Sequence, residues 1–203
     1  FQAVAYQSGE LVLDVWGGPH LSGDSVLVPY SVTKNTIGLT AALLLQRGQL
    51  QLDRPVCEYW PEFAAKDKQD VTVRMLLSHQ AGLPQADPPL GWAELLDHHE
   101  GAARLAASRP FWRPGTAFGY HAVTIGNLAS ELVHRITGQT LQDFFETEIR
   151  APHDLDFHLG LPAAQESRLV PLLPMIEPID AGPRGPGTAL GSVVWNVPGP
   201  TVD

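Results

Sequence analysis

Apolar and polar residues alternate along residues 11–16, and a shorter apolar stretch at 3–6 precedes them across Gln7-Ser8-Gly9-Glu10. This pattern predicts an antiparallel hairpin that ends at Gly17-Gly18. Two strands alone are marginal in water, so the hairpin calls for further strands, and the remaining sequence offers few. The period then changes. Residues 37–45 are apolar nearly all the way round, which predicts a helix buried in a domain, with Gly48 as its stop. Residues 50–56 leave that core, and Tyr-Trp-Pro-Glu-Phe at 59–63 forms an aromatic-anchored turn. A second buried segment at 71–77 runs into Ser-His-Gln-Ala-Gly-Leu-Pro, where a glycine followed by Leu-Pro signals an abrupt exit into a loop. Leu95, Leu96 and Leu105 give residues 92–107 a helical period. A rigid loop at 109–116 leads to a helix at 123–137 stopped by Gly138, and another amphipathic helix comes next at 141–149. From about Leu161 to the end of the chain the pattern dissolves, eight of the eighteen prolines fall there, and the segment reads as loop.

Composition adds bounds to this picture. With 203 residues, 44% hydrophobic and 17% charged, the chain is long enough for one sizeable core and is not a disordered sequence. No apolar run approaches the ~18 residues of a membrane-spanning helix. A formal charge of −9, from 13 Lys+Arg against 22 Asp+Glu, repels phosphate backbones and argues against a nucleic-acid partner. Cys57 is the single cysteine, which leaves no internal disulfide and no thiolate cluster for zinc. His98-His99-Glu100 lacks the spacing of a helical metal motif, because adjacent helical residues point in different directions; these side chains are expected to be solvated, and no metal or cofactor is called for. The chain opens on Phe1 inside a strand pattern, with neither an initiator Met nor a signal-peptide pattern, so the natural start is expected to lie elsewhere. The compartment is left open, with a cytoplasmic one favoured.

The candidate chemistry sits just before the first apolar helix. In Pro29-Tyr30-Ser31-Val32-Thr33-Lys34, a serine that opens a helix and a lysine three residues on share one face within one turn. The positive end of the helix dipole and a low dielectric both disfavour an ammonium there, so the Lys34 pKa is expected to fall toward values at which its amine can take a proton from serine. The Ser31 backbone N–H at the same helix start could help to hold an oxyanion. Taken alone, the tetrad also describes an N-cap serine beside a solvated first-turn lysine.

Several stretches carry a resemblance in order along the chain: Val-Trp-Gly-Gly at 15–18, Tyr-Ser-Val-Thr-Lys at 30–34, Arg-Gly-Gln-Leu-Gln-Leu-Asp-Arg-Pro-Val at 47–56, and Tyr-Trp-Pro-Glu-Phe at 59–63. Leu-Leu-Ser-His-Gln-Ala-Gly-Leu-Pro at 76–84, Trp-Arg-Pro-Gly-Thr at 112–116, Gly-Tyr-His-Ala-Val-Thr at 119–124 and Arg-Ile-Thr-Gly at 135–138 continue it. Residues 1–162 thereby resemble the serine β-lactamase-like hydrolases of the class C β-lactamase and penicillin-binding-protein fold, and most closely the family VIII carboxylesterases. The resemblance implies an α+β fold, an antiparallel sheet flanked by helices plus an all-helical region, with residues 163–203 as a Pro-rich loop or incomplete remainder. It implies that Ser31 is the acylated nucleophile, Lys34 its proton acceptor and Tyr120 a proton relay, acting on a small-molecule ester. It also makes His79 part of a structural turn.

Two departures qualify what the resemblance implies. The lactamases and peptidases of this group usually read Tyr-x-Asn where this chain has Tyr120-His121-Ala122, so lactam cleavage is the alternative rather than the leading reading. The late strand motif of the group has no match before Asp203, so the chain is expected to stop short of the C-terminal strands, and a catalytically incomplete fragment or a non-catalytic binding module stands as a further alternative. Oligomeric state is not legible.

Overall fold

The computed structural model describes residues 1–171. The expected hairpin forms from β1 (Gln2–Gln7) and β2 (Glu10–Trp16), antiparallel and in a register that sets Gln2 opposite Trp16 and Gln7 opposite Glu10. Ser8 and Gly9 turn it with φ of 53° and 85°, the left-handed pair that matches the twist of a tight hairpin. All of β2 is exposed, including Leu11, Leu13, Val15 and Trp16. Among the described residues the sheet has these two strands only.

Ser31 enters through a 3-10 turn, Tyr30–Thr33, and the α-helix proper, α1 (Lys34–Gln46), starts two residues later than a serine N-cap would have it. The expectation that this helix is buried all round is corrected. It buries the stripe Thr36, Thr40 and Leu44 at i, i+4, i+8, while Leu39, off that stripe, is 50% exposed. The apolar composition of that outer face is therefore not satisfied by the elements described.

The core lies in the helical region. Trp60, Phe63, Val73, Leu76, Leu83, Leu90, Leu105 and Leu128 are all but inaccessible to solvent. Helix α2 (Val73–Leu77) starts where the Thr72 hydroxyl accepts the Met75 N–H. The helix read at 92–107 is two helices, α3 (Trp92–Leu96) and α4 (His98–Ala107), because Asp97 leaves helical geometry and caps the second one by accepting the His99 and Glu100 N–H groups. Helix α5 (Thr124–Thr137) packs on α4 and ends at Gly138 in a left-handed cap. Helix α6 (Leu141–Phe145) continues into a π-helical turn, Glu146–Arg150. Lys68 is fully buried without a carboxylate; its ammonium donates to the carbonyls of Ala65 and Ser108, tying the turn after Pro61–Ala64 to the end of α4. Burial holds its pKa down to about 8.

After Pro162 the chain makes a 3-10 turn, Ala163–Arg168, and returns to the hairpin side. There Leu169 bridges Val26, and Arg168 pairs with Asp24 and Asp156. The rest of the Pro-rich segment, 172–203, lies outside the described residues.

Candidate active site

Two segments far apart in sequence meet at Ser31. The first is local: Lys34 Nζ donates to Ser31 Oγ at 3.3 Å, as the three-residue spacing requires. That spacing works through the 3-10 turn rather than an α-turn, since residues three apart eclipse in 3-10 geometry. The second is remote: the Tyr120 hydroxyl, 89 residues away, donates to the same Ser31 Oγ at 2.6 Å. Lys34 Nζ also lies 4.9 Å from the Tyr120 ring centroid. The structure thus brings together Ser31, Lys34 and Tyr120. Partial burial pushes the Tyr120 phenol up, but its hydrogen bonding with Lys34 and Ser31 and the Lys34 charge outweigh it and hold the phenol below its ordinary value.

Tyr120 reaches this position because its loop is bonded to the 78–84 turn. The Gly119 N–H donates to the His79 carbonyl at 3.1 Å, and the His121 N–H donates to His79 Nδ1 at 3.1 Å. Both of these bonds tie His79 to the tyrosine loop, which it brackets from a backbone with a left-handed φ of 61°. Burial first, and then the Lys34 charge, lower its pKa. Gly82 in the same turn has φ of 76°, and a Cβ there would stand 2.7 Å from the Trp112 carbonyl oxygen. A glycine thus lets the turn and the 109–118 loop touch backbone to backbone, where Phe111 N–H donates to Gly82 O.

His121, to which the sequence alone gives no role, is completely buried behind Tyr120. Its Nδ1 lies 2.6 Å from the Gly119 carbonyl and its Nε2 lies 2.8 Å from the Leu83 amide nitrogen. A carbonyl can only accept and an amide N–H can only donate, so the ring is neutral with its proton on Nδ1. Burial is the main cause that pulls its pKa down to about 4, with His79 adding to it and the Gly119 hydrogen bond opposing. The one signal in sequence was position: a histidine adjacent to a candidate tyrosine.

A cavity of about 420 Å³ opens beside the serine, lined by Ser31 and Lys34 and by apolar Ile37, Val123, Ile125, Leu141 and Leu159, with Ala122 on its wall. His98, expected to be solvated, instead lines its far side and bonds Gln142, while His99 pairs with buried Glu131. Among the described residues no group of His, Cys, Asp and Glu is arranged to hold a metal ion, and no helix is long and apolar enough to cross a membrane.

The hairpin, the helical region and a serine opening a helix beside a lysine and a tyrosine define a protein of the β-lactamase/transpeptidase-like fold. The chain belongs to the Beta-lactamase family, whose model matches residues 1–191. It is 38% identical over 167 residues to "Esterase/beta-lactamase LipL" of Mycobacterium tuberculosis, an alignment that covers 78% of this chain and 38% of LipL. The solved structure of EstA from Arthrobacter nitroguajacolicus Rue61a superposes with a TM-score of 0.80 at 46% identity, covering 88% of this chain and 50% of EstA. A crystal structure of a family VIII carboxylesterase superposes with a TM-score of 0.77 at 39% identity, covering 81% and 48%. The chain therefore spans about half the length, or less, of the relatives it matches.

Proposed function

We propose that this protein is a serine hydrolase that cleaves carboxylic esters through an acyl-enzyme on Ser31. The observation that carries the reading is the convergence of Lys34 Nζ and the Tyr120 hydroxyl on one serine oxygen, at 3.3 and 2.6 Å. Ser31 Oγ attacks the ester carbonyl as its proton passes to the Lys34 amine; the tetrahedral oxyanion is held in part by the Ser31 backbone N–H. Collapse expels the alcohol, which takes its proton through Tyr120. Water, deprotonated by the same pair, then attacks the acyl-serine and releases the acid, returning the proton to Ser31. Tyr120 suits the relay because its phenol sits below its ordinary pKa beside a cation.

Support for an ester rather than a lactam comes from the wall at Ala122 and the apolar lining of the cavity at Ser31, which present a hydrophobic surface to one side of the substrate. The names of EstA and of the family VIII carboxylesterase point the same way, whereas the double name of LipL keeps lactam cleavage as the second reading. Two measurements on the full natural chain test the proposal. Intact mass after a fluorophosphonate probe is expected to show one adduct that Ser31→Ala abolishes; no adduct in the wild type, or one that survives Ser31→Ala, refutes catalysis at Ser31 and leaves a non-catalytic module. Rates on a short p-nitrophenyl ester are expected to exceed those on nitrocefin, and the reverse order would give the lactam reading precedence.

A further inference from the structure

Tyr120 can serve Ser31 only while a loop from one part of the chain stays in register with a turn from another. Five hydrogen bonds hold that loop over residues 119–124. They are Gly119 N–H to His79 O, His121 N–H to His79 Nδ1, His121 Nδ1–H to Gly119 O, Leu83 N–H to His121 Nε2, and the Thr124 hydroxyl to Leu83 O at 2.7 Å. None of them uses Tyr120 itself. Three of the five involve His121, and its ring is the one side chain that joins the loop just before Tyr120 to the turn at Leu83.

We propose that His121 is a positioning residue whose neutral imidazole, clamped between the Gly119 carbonyl and the Leu83 amide, fixes the Tyr120 hydroxyl on Ser31. The inference rests on the hydrolase reading above. A buried imidazole has no water to substitute for either partner, so replacing it leaves a buried carbonyl and a buried N–H unpaired unless the loop shifts to satisfy them. A shift of the order of 1 Å in a catalytic group costs about 100-fold in rate. The two bonds differ in what they join. The bond to Gly119 is local, closing a turn two residues long, whereas the bond to Leu83 crosses between segments. A glutamine side chain sets its amide where Nε2 lies and keeps the crossing bond; an asparagine sets it where Nδ1 lies and keeps only the local one.

The test is p-nitrophenyl acetate hydrolysis by the full natural chain carrying His121→Leu, His121→Gln or His121→Asn, each alone and with Tyr120→Phe. The expected result is a fall in kcat of about 100-fold for His121→Leu with KM within about twofold, recovery to within about tenfold for Gln, and little recovery for Asn. In the Tyr120→Phe background His121→Leu is expected to cost less than about threefold more, because both changes remove one function. Wild-type kcat in a folded His121→Leu, or an equal further loss in the Tyr120→Phe background, overturns the proposal. Should the Leu variant fail to fold by circular dichroism, the order of Gln and Asn decides, and Asn equal to or better than Gln overturns it. Fluorophosphonate labelling of wild-type Ser31 separates the two levels: if Ser31 labels but the His121 variants behave as wild type, only the positioning role falls, and if Ser31 does not label, the hydrolase reading falls with it.

Discussion

Acidification acts on His121 in a way the geometry makes calculable. The buried ring must accept a hydrogen bond from the Leu83 amide, and its protonated form cannot, so the folded state binds the acidic proton far less readily than the unfolded chain does. The folded pKa of about 4 lies below the ordinary 6.5, so across that interval the unfolded state holds more protons and stability rises with pH. The contribution is complete above pH ~6.5 and is lost as pH falls through about 4. A gap of about 2.5 pH units at ~1.36 kcal/mol per unit gives ~3 kcal/mol, most of it spent between pH 6.5 and pH 4. That is a large share of the ~5–15 kcal/mol that holds a typical domain folded.

Other groups also respond to acid. His79 has a value lowered from that of a free imidazole, and the carboxyls of Asp53, Glu62, Asp97, Glu146 and Asp156 are lowered from the ordinary carboxylate range and so act in more acid solution; each of them weakens the fold as pH falls. The assay is therefore a difference. Urea unfolding of the wild type and of His121→Gln, at pH 7, 6, 5 and 4, subtracts what the two proteins share. The stability advantage of the wild type over the variant is expected to shrink by ~3 kcal/mol between pH 7 and pH 4, with about half of that gone near pH 5.5. A difference that stays constant within ~0.5 kcal/mol across the series would falsify the neutral, doubly bonded ring. A change of the opposite sign would mean that His121 is charged in the native state.

Three further outcomes are expected from the same structure. Tyr120→Phe removes the 2.6 Å bond to Ser31 and is expected to lower kcat on a p-nitrophenyl ester by about 10²–10⁴ while leaving the melting temperature nearly unchanged, read by steady-state kinetics and thermal unfolding. Gly82→Ala adds a Cβ 2.7 Å from the Trp112 carbonyl oxygen and 2.9 Å from Pro110 Cβ at a φ of 76°, and is expected to cost ~2–5 kcal/mol in urea unfolding. For Lys68, whose pKa of about 8 is depressed from 10.5 by burial, the unfolded chain holds more protons between those values, so wild-type stability should rise with pH there; Lys68→Met should abolish that rise and, by leaving the Ala65 and Ser108 carbonyls unpaired, lower stability at pH 7 by ~1–3 kcal/mol.

What could be read from sequence was what depends on neighbours in the chain. The turn pair Ser8-Gly9 and the alternation after it specify the hairpin, and the three-residue step from Ser31 to Lys34 puts amine and hydroxyl together. Tyr120 could be placed only through a family resemblance, since nothing local links it to a serine 89 residues away. Two other readings failed for the same reason. His98 looks like a solvated residue when only its own helix is considered, yet Gln142 meets it from α6, whereas His99 stays exposed as expected while its ring pairs with Glu131 of α5. The run at 37–45 looks buried on every side from its composition, yet burial depends on what packs against it: Thr36, Thr40 and Leu44 are buried, Ile37, Ala41, Leu43 and Leu45 are partly covered by the core, and Leu39 stays exposed. The split at Asp97 was visible in principle, because aspartate is a preferred N-cap residue and here accepts the amides two and three residues on, but the leucine period on both sides masked it.

The two halves of the candidate site therefore differ in how they can fail. The Ser31–Lys34 contact is closed by a single turn of backbone and survives any rearrangement that leaves the 3-10 turn Tyr30–Thr33 and the start of α1 intact. The Tyr120 contact is closed by a path through Gly119, His121, Leu83 and His79, so it is exposed to every perturbation along that path, including acid at His121 and a Cβ at Gly82. If the nucleophile depended on Lys34 alone, changes at these bracing residues would alter stability and leave turnover of the folded protein untouched. If the tyrosine relay limits the rate, they would lower kcat in proteins that still fold, and the loss would vanish once Tyr120 is Phe. The ranking of kcat against unfolding free energy across Gly82→Ala, His121→Gln and His121→Asn thus measures how much of the chemistry the remote half of the site carries.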